Sequence, residues 1–200
     1  MRGAQFTPPA FYPRRHGLLL IACGVFLVLV FSCMPSFARG LPIHEGILNY
    51  GKVSEHLYRG AQPDADGLKS LKRLGVKMIV NLRMIDDGWQ EEAAQAQANG
   101  LLYTNFPMSG FRRPSEEQVH QILALFESFP GAIFIHCQHG CDRTGTIVAC
   151  YRIQHDHWSS DLALREAKKY GISRVEYFMK RFVVNFGRPA KPDLRQAKAY

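Results

Sequence analysis

The chain has 200 residues, 46% of them hydrophobic and 21% charged, with a formal net charge of +8. That suits one globular domain plus an apolar segment. Arg2, Arg14 and Arg15 precede residue 38 with no acid among them, so the body is only moderately basic. With no arginine-rich arm and no interleaved aromatic stripe, it is not read as a nucleic-acid module; the excess charge suits anionic substrates or an anionic membrane surface.

The first element is a leader. Leu18 to Phe31 is almost wholly apolar, follows Arg14-Arg15-His16 and precedes Ser36-Phe37-Ala38. Basic, then apolar, then small-x-small is the layout of a secretory signal peptide, with cleavage after Ala38. Counted from Gly17 to Phe37, the same stretch approaches the length of a spanning helix, so residues 1–38 are read as a signal peptide or an N-terminal membrane anchor. The protein is therefore expected to be exported, to the periplasm or beyond the cell, or held at a membrane by this segment. Five cysteines are present, two of them in the leader. Cys137, Cys141 and Cys150 remain, and an odd count is not a disulfide framework.

The domain is expected over 39–188. Asn49–Val53 and His56–Tyr58 read as a short edge hairpin, followed by a turn at Arg59-Gly60-Ala61-Gln62-Pro63. Asp64 caps a helix to about Leu74, with Leu68, Leu71 and Leu74 on one face and Gly75 ending it. Val76–Leu82 is a near-continuous apolar run, the pattern of a strand buried on both faces. Gln90–Ala98 reads as a helix and Leu101–Phe106 as a strand. Ser115-x-x-Gln118 caps a helix through Phe129. Ala132–Ile135 is another buried strand, and helices follow over 143–157, 159–170 and 174–186. Residues 189–200 read as a basic, solvated tail. Alternating strands and helices predict an α/β fold in three layers, with a central, mostly parallel sheet of four or five strands flanked by helices.

The chemistry concentrates where the last strand meets the next helix, in His136-Cys-Gln-His-Gly-Cys-Asp-Arg-Thr-Gly145. A loop entering a helix N-terminus aims backbone N–H groups at its own centre, and the helix dipole adds positive potential. A thiolate, the nucleophilic form of cysteine, is favoured in such a field. Arg143 adds a planar fork of donors matched to phosphate oxygens. One loop thus carries a nucleophile, Cys137, and a cradle for an anion. Gly140 permits the tight turn, and Gly145 lets the helix begin close to the loop. Arg83 lies at the carboxyl end of a strand, where ligands bind in open α/β sheets. It is read as substrate-orienting or as paired with Asp86 or Asp87.

This string resembles the signature of the cysteine-dependent protein tyrosine and dual-specificity phosphatases. Leu57-Tyr-Arg-Gly-Ala-Gln-Pro63 and Val76-Lys-Met-Ile-Val-Asn-Leu-Arg83 are similar to the compact bacterial dual-specificity-like members. The resemblance implies the same three-layer fold and hydrolysis of a phosphomonoester through a phosphocysteine intermediate, with no metal or other cofactor. It implies attack by Cys137, oxyanion stabilisation by Arg143, and Thr144 as partner of the departing thiolate. His136 and Gly145 would support the loop. Gln138, His139, Gly140 and Cys141 would surround the phosphate. A phosphorylated protein, or a phosphorylated lipid or inositol, is the expected substrate, acted on by a monomer. A phosphate-binding pseudophosphatase is the reading from another class.

One departure stands out. The family's general acid is an aspartate on a loop before the cysteine, and Asn105-Phe-Pro-Met-Ser-Gly-Phe-Arg-Arg-Pro114 holds neither Asp nor Glu. Asp142 is the expected substitute, or else a carboxylate that orients Arg143 or caps the helix. Asp86, Asp87 and Glu116 are weaker candidates. Arg112 and Arg113 on the same loop suit a polyanionic substrate. Cys141 beside Cys137 raises a reversible disulfide, or a plain small loop residue, as alternatives.

Overall fold

The structure is a computed structural model and describes residues 40–87 and 90–188. The leader at 1–38 and the tail at 189–200 lie outside the described residues. Among the described residues, no helix is long and apolar enough to cross a membrane.

Five strands form one sheet: β1 (Gly51–Lys52), β2 (Leu57–Ala61), β3 (Val76–Asn81), β4 (Leu102–Asn105) and β5 (Ala132–Cys137). Their order is β1-β2-β5-β3-β4, with β1 antiparallel to β2 and every other pairing parallel. Among the described residues, six helices flank it: α1 (Ala65–Arg73), α2 (Gln90–Ala98), α3 (Glu116–Ser128), α4 (Asp142–Gln154), α5 (Ser160–Lys169) and α6 (Tyr177–Asn185). The helix starts follow their caps: Asp64 accepts from the Gly67 amide at 2.8 Å and Ser115 from that of Gln118 at 3.1 Å.

The central strand shows why the sheet needs two covers. Along β5, Ile133, Ile135 and Cys137 join one core with Val119, Ile122 and Leu123 of α3, Ile147 and Val148 of α4, and Phe182 of α6. Phe134 belongs to the opposite core, with Leu68 and Leu71 of α1 and Ala96 of α2. Alternation along one strand thus sends Cys137 toward the α4 side and its neighbour His136 toward α2. Burying Leu68 and Leu71 is worth about 1.5–3 kcal/mol each, so α1 is held by its packed face more than by its length.

Two local expectations are corrected. Arg59-Gly60-Ala61 is not a turn. All five residues of β2 are buried, and Arg59 and Ala61 pair with Ile135 and Cys137 of β5. Gly60 is there for space, because a Cβ would lie 2.8 Å from both Ile47 and Phe134. The last helix begins at Tyr177 rather than Arg174. Asp142 Oδ1 accepts from the Ser173 amide at 2.6 Å, which draws the preceding residues into a loop against the start of α4.

Candidate active site

The loop Gln138–Cys141 joins β5 to α4 at the carboxyl end of the sheet. A cavity of about 380 Å³ opens there. Cys137, His139, Asp142 and Arg143 of the loop and the start of α4 line it. Gly110 and Phe111 of the loop before α3, and Ser173, Val175 and Glu176 of the loop before α6, form the rest. Cys137 is 3% exposed, at the base of the opening. The amides of the first turn of α4 lack intrahelical partners by geometry, and no Cys141 side-chain bond caps them. Arg143 is largely buried, and its Nη1 donates to the Met108 carbonyl at 3.3 Å, tying the cradle to the 107–113 loop.

The loop is held from beneath. Arg59 is fully buried, and its Nη2 donates to the Gly140 carbonyl at 2.9 Å. Its guanidinium lies 3.8 Å over the Tyr170 ring. Burial lowers its pKa to about 10, against the attraction of Tyr170, Glu166, Cys137 and Cys141. It therefore stays protonated at neutral pH and places a fixed positive charge under the nucleophile. Asn49, also buried, has its Nδ2 3.1 Å from the His139 carbonyl and 2.9 Å from that of Tyr170. The same nitrogen lies 3.4 Å from Cys141 Sγ.

Behind β5 runs a second buried network. His136 Nε2 stands 3.1 Å from Glu92 Oε1, a close electrostatic contact whose angle is poor for a hydrogen bond. Glu92 Oε2 accepts from the Tyr103 hydroxyl at 2.9 Å, and that hydroxyl accepts from Asn81 Nδ2 at 2.8 Å. Burial and the neighbouring Glu92 push the Tyr103 phenol well above its usual range, so it stays a neutral donor. The network anchors His136, and through it the backbone of the nucleophile, to β3, β4 and α2.

Chemically, this is an anion cradle with a thiol at its base. Residues 43–184 match the family described as DSP-PTPase phosphatase fused to NAD+ kinase. The chain belongs to this family of dual-specificity-type phosphatases. It is 30% identical over 128 residues to the dual specificity protein phosphatase TpbA of Pseudomonas aeruginosa, covering 62% of this chain and 56% of TpbA. Rice inositol diphosphatase DSP2 is 24% identical over 145 residues, 70% of each chain. The crystal structure of TpbA superposes with a TM-score of 0.61 at 27% identity, covering 75% of this chain and 91% of that one. The catalytic core of Siw14 from S. cerevisiae, at 21% identity and a TM-score of 0.62, shares the fold. The chain spans just over half the length of the curated TpbA it matches.

Within that family signature, the structure brings some residues to the cavity and others beneath it. Cys137, His139, Asp142 and Arg143 border it. Gln138 is exposed, and its carbonyl accepts from the Gln62 amide at 3.3 Å. The Cys141 thiol is fully buried and donates to the His139 carbonyl at 3.3 Å, so this side chain faces the underside of the loop. Thr144 is also fully buried, and its Oγ1 has no hydrogen-bond partner. A donor hydroxyl left open in the first turn of α4 suits an anionic sulfur acceptor. Arg83 is directed at Gln62, to which its Nη1 donates, rather than at the cavity. Gly145 packs close to Ala167 and to the Arg59 guanidinium. Cys150 sits in the core of α4, where burial pushes its thiol far up, the setting of an inert cysteine. Among the described residues, no cluster of three metal-binding side chains occurs.

Sequence reading missed Asn49, Glu92, Ser173 and Glu176. Arg59 did carry a signal, as a charge inside a run that pairs on both edges. The others meet the loop only through tertiary contacts.

Proposed function

We propose that this chain is a phosphomonoester hydrolase of the protein-tyrosine and dual-specificity type, acting through a phosphocysteine at Cys137. The observation that carries the reading is the co-location of Cys137 and Arg143 in one cavity at the start of α4, above the buried Arg59. The Cys137 thiolate attacks phosphorus and forms the S–P bond as the ester P–O bond breaks. Arg143 and the loop amides hold the equatorial oxygens as charge develops on them, the usual largest contribution in such sites. Water then attacks the phosphocysteine, and the thiolate leaves toward the Thr144 hydroxyl.

A phosphorylated protein, with phosphotyrosine foremost, suits this cavity best. Phe111 is 83% exposed and Val175 84% exposed at its border, apolar surfaces against which an aryl ring can lie. The exposed Arg112 and Arg113 favour a second reading, a phosphoinositide or inositol polyphosphate. The basic, apolar and small-residue layout of 1–38 supports export or anchoring at a membrane.

The test is a panel of phosphotyrosine and phosphoserine/threonine peptides, a phosphoinositide and an inositol polyphosphate, with Cys137→Ser as blank. The expected result is fastest turnover of the phosphotyrosine peptide and none by the variant. Faster turnover of the polyphosphates would move the substrate class. Vanadate binding without any turnover would favour the pseudophosphatase.

A further inference from the structure

The loop before α3, where the family places its proton donor, borders the cavity through Gly110 and Phe111 and has no carboxylate. Among the described residues, two carboxylates do border it, Asp142 and Glu176. They are placed for different work. Asp142 begins α4, and its Oδ1 receives the Ser173 amide at 2.6 Å, the short bond expected of a charged acceptor. That contact ties the 173–176 loop to the catalytic helix.

Glu176 is the last residue of the tied loop and is only 9% exposed. Its own amide donates to the Ser173 carbonyl at 3.2 Å, so Ser173 fixes both ends of the short segment. Glu116 and Asp86 do not share this position. Glu116 lies with Tyr177 and Arg181 beyond the cavity, and Asp86 is on the exposed turn after β3. Glu92 is behind the sheet, engaged by Tyr103 and His136.

Resting on the phosphatase reading above, we infer that Glu176 is the general acid and base, and that Asp142 is a positioning residue that holds it in place. A carboxyl group sheltered from water is suited to carry a proton to a leaving oxygen. In the first step the S–P bond forms, the P–O bond breaks, and the departing oxygen takes its electron pair and the proton of Glu176. In the second, the Glu176 carboxylate accepts a proton from the attacking water as the S–P bond breaks. The enzyme returns to its starting state with inorganic phosphate released. The donor thus comes from the loop after α5 instead of the one before α3.

Leaving-group dependence separates these roles. Glu176→Gln is expected to slow phenyl phosphate about 100-fold, and p-nitrophenyl phosphate, whose leaving group departs largely unaided, by less than about 5-fold. Asp142→Asn should lower both substrates by a similar factor, because it loosens the loop without removing the donor. Glu116→Gln should match wild type on both. Unchanged vanadate affinity and melting temperature in Glu176→Gln show that the cavity is intact. An equal effect of Glu176→Gln on both substrates, or the selective effect appearing in Asp142→Asn, overturns the assignment. Failure of the wild-type enzyme on both aryl phosphates and on every substrate of the panel above would instead remove the phosphatase reading, and the assignment with it.

Discussion

Arg143→Ala is expected to lower kcat/KM for an aryl phosphate by about 1,000-fold or more, equivalent to about 4 kcal/mol of lost transition-state stabilisation. Arg143 borders the cavity beside Cys137 at the head of α4, and it is the one arginine of the signature. Arg143→Lys keeps the charge but loses the paired donors, so most of the loss should persist. The fold should survive either change. Among the protein contacts given up is the 3.3 Å bond to the Met108 carbonyl, worth about 1–3 kcal/mol. Vanadate affinity should fall with activity in both variants. Near-wild-type turnover by Arg143→Ala would show that the phosphate is held by something else.

Gly140→Ala should both destabilise the domain and silence it. Gly140 adopts φ +67°, in the left-handed region, which costs other residues about 1–2 kcal/mol. The added Cβ would also stand 2.4 Å from the carbonyl carbon and oxygen of Gly60, and 2.6 Å from the Ala61 nitrogen. Those atoms are backbone of β2, a strand paired on both edges, so the loop must move instead. Moving it separates the Gly140 carbonyl from Arg59 Nη2, whose Nε and Nη1 already lack partners. A buried cation deprived of its acceptor adds to the strain. The combined cost is expected to reach about 2–5 kcal/mol in urea unfolding, with kcat/KM falling at least about 100-fold. Gly110→Ala is the stability control, since a Cβ there meets nothing within 4 Å. A Gly140→Ala protein as stable and active as wild type would mean that the loop is not seated on β2 as described.

What the sequence made legible is what short range decides. β5 and the loop after it form one contiguous string, so nucleophile, arginine and helix start are visible together. The two-faced apolar runs at Val76 and Ala132 exposed the buried parallel strands. Arg59 was misread as part of a turn because Gly60 and Pro63 are turn residues by local preference. Only the packing of Ile47 and Phe134 against Gly60 shows why glycine belongs in that strand. Glu92 sits in a helix of alanines and glutamines that looks solvated, and its burial follows from meeting His136 across the sheet. The segment before Tyr177 carries a helical pattern, and the bond from the Ser173 amide to Asp142 outweighs it. That contact also brings Glu176 to the cavity, which no spacing in the chain announces.

The central claim is that phosphate passes through the sulfur of Cys137. Rapid acid quench during turnover of an aryl phosphate, followed by peptide mass mapping, tests it directly. The expected result is one phosphoryl group on the Cys137 peptide, lost on treatments that cleave thiophosphate esters and absent from Cys137→Ser. Steady turnover by Cys137→Ser, or phosphate captured on any other side chain, would contradict it.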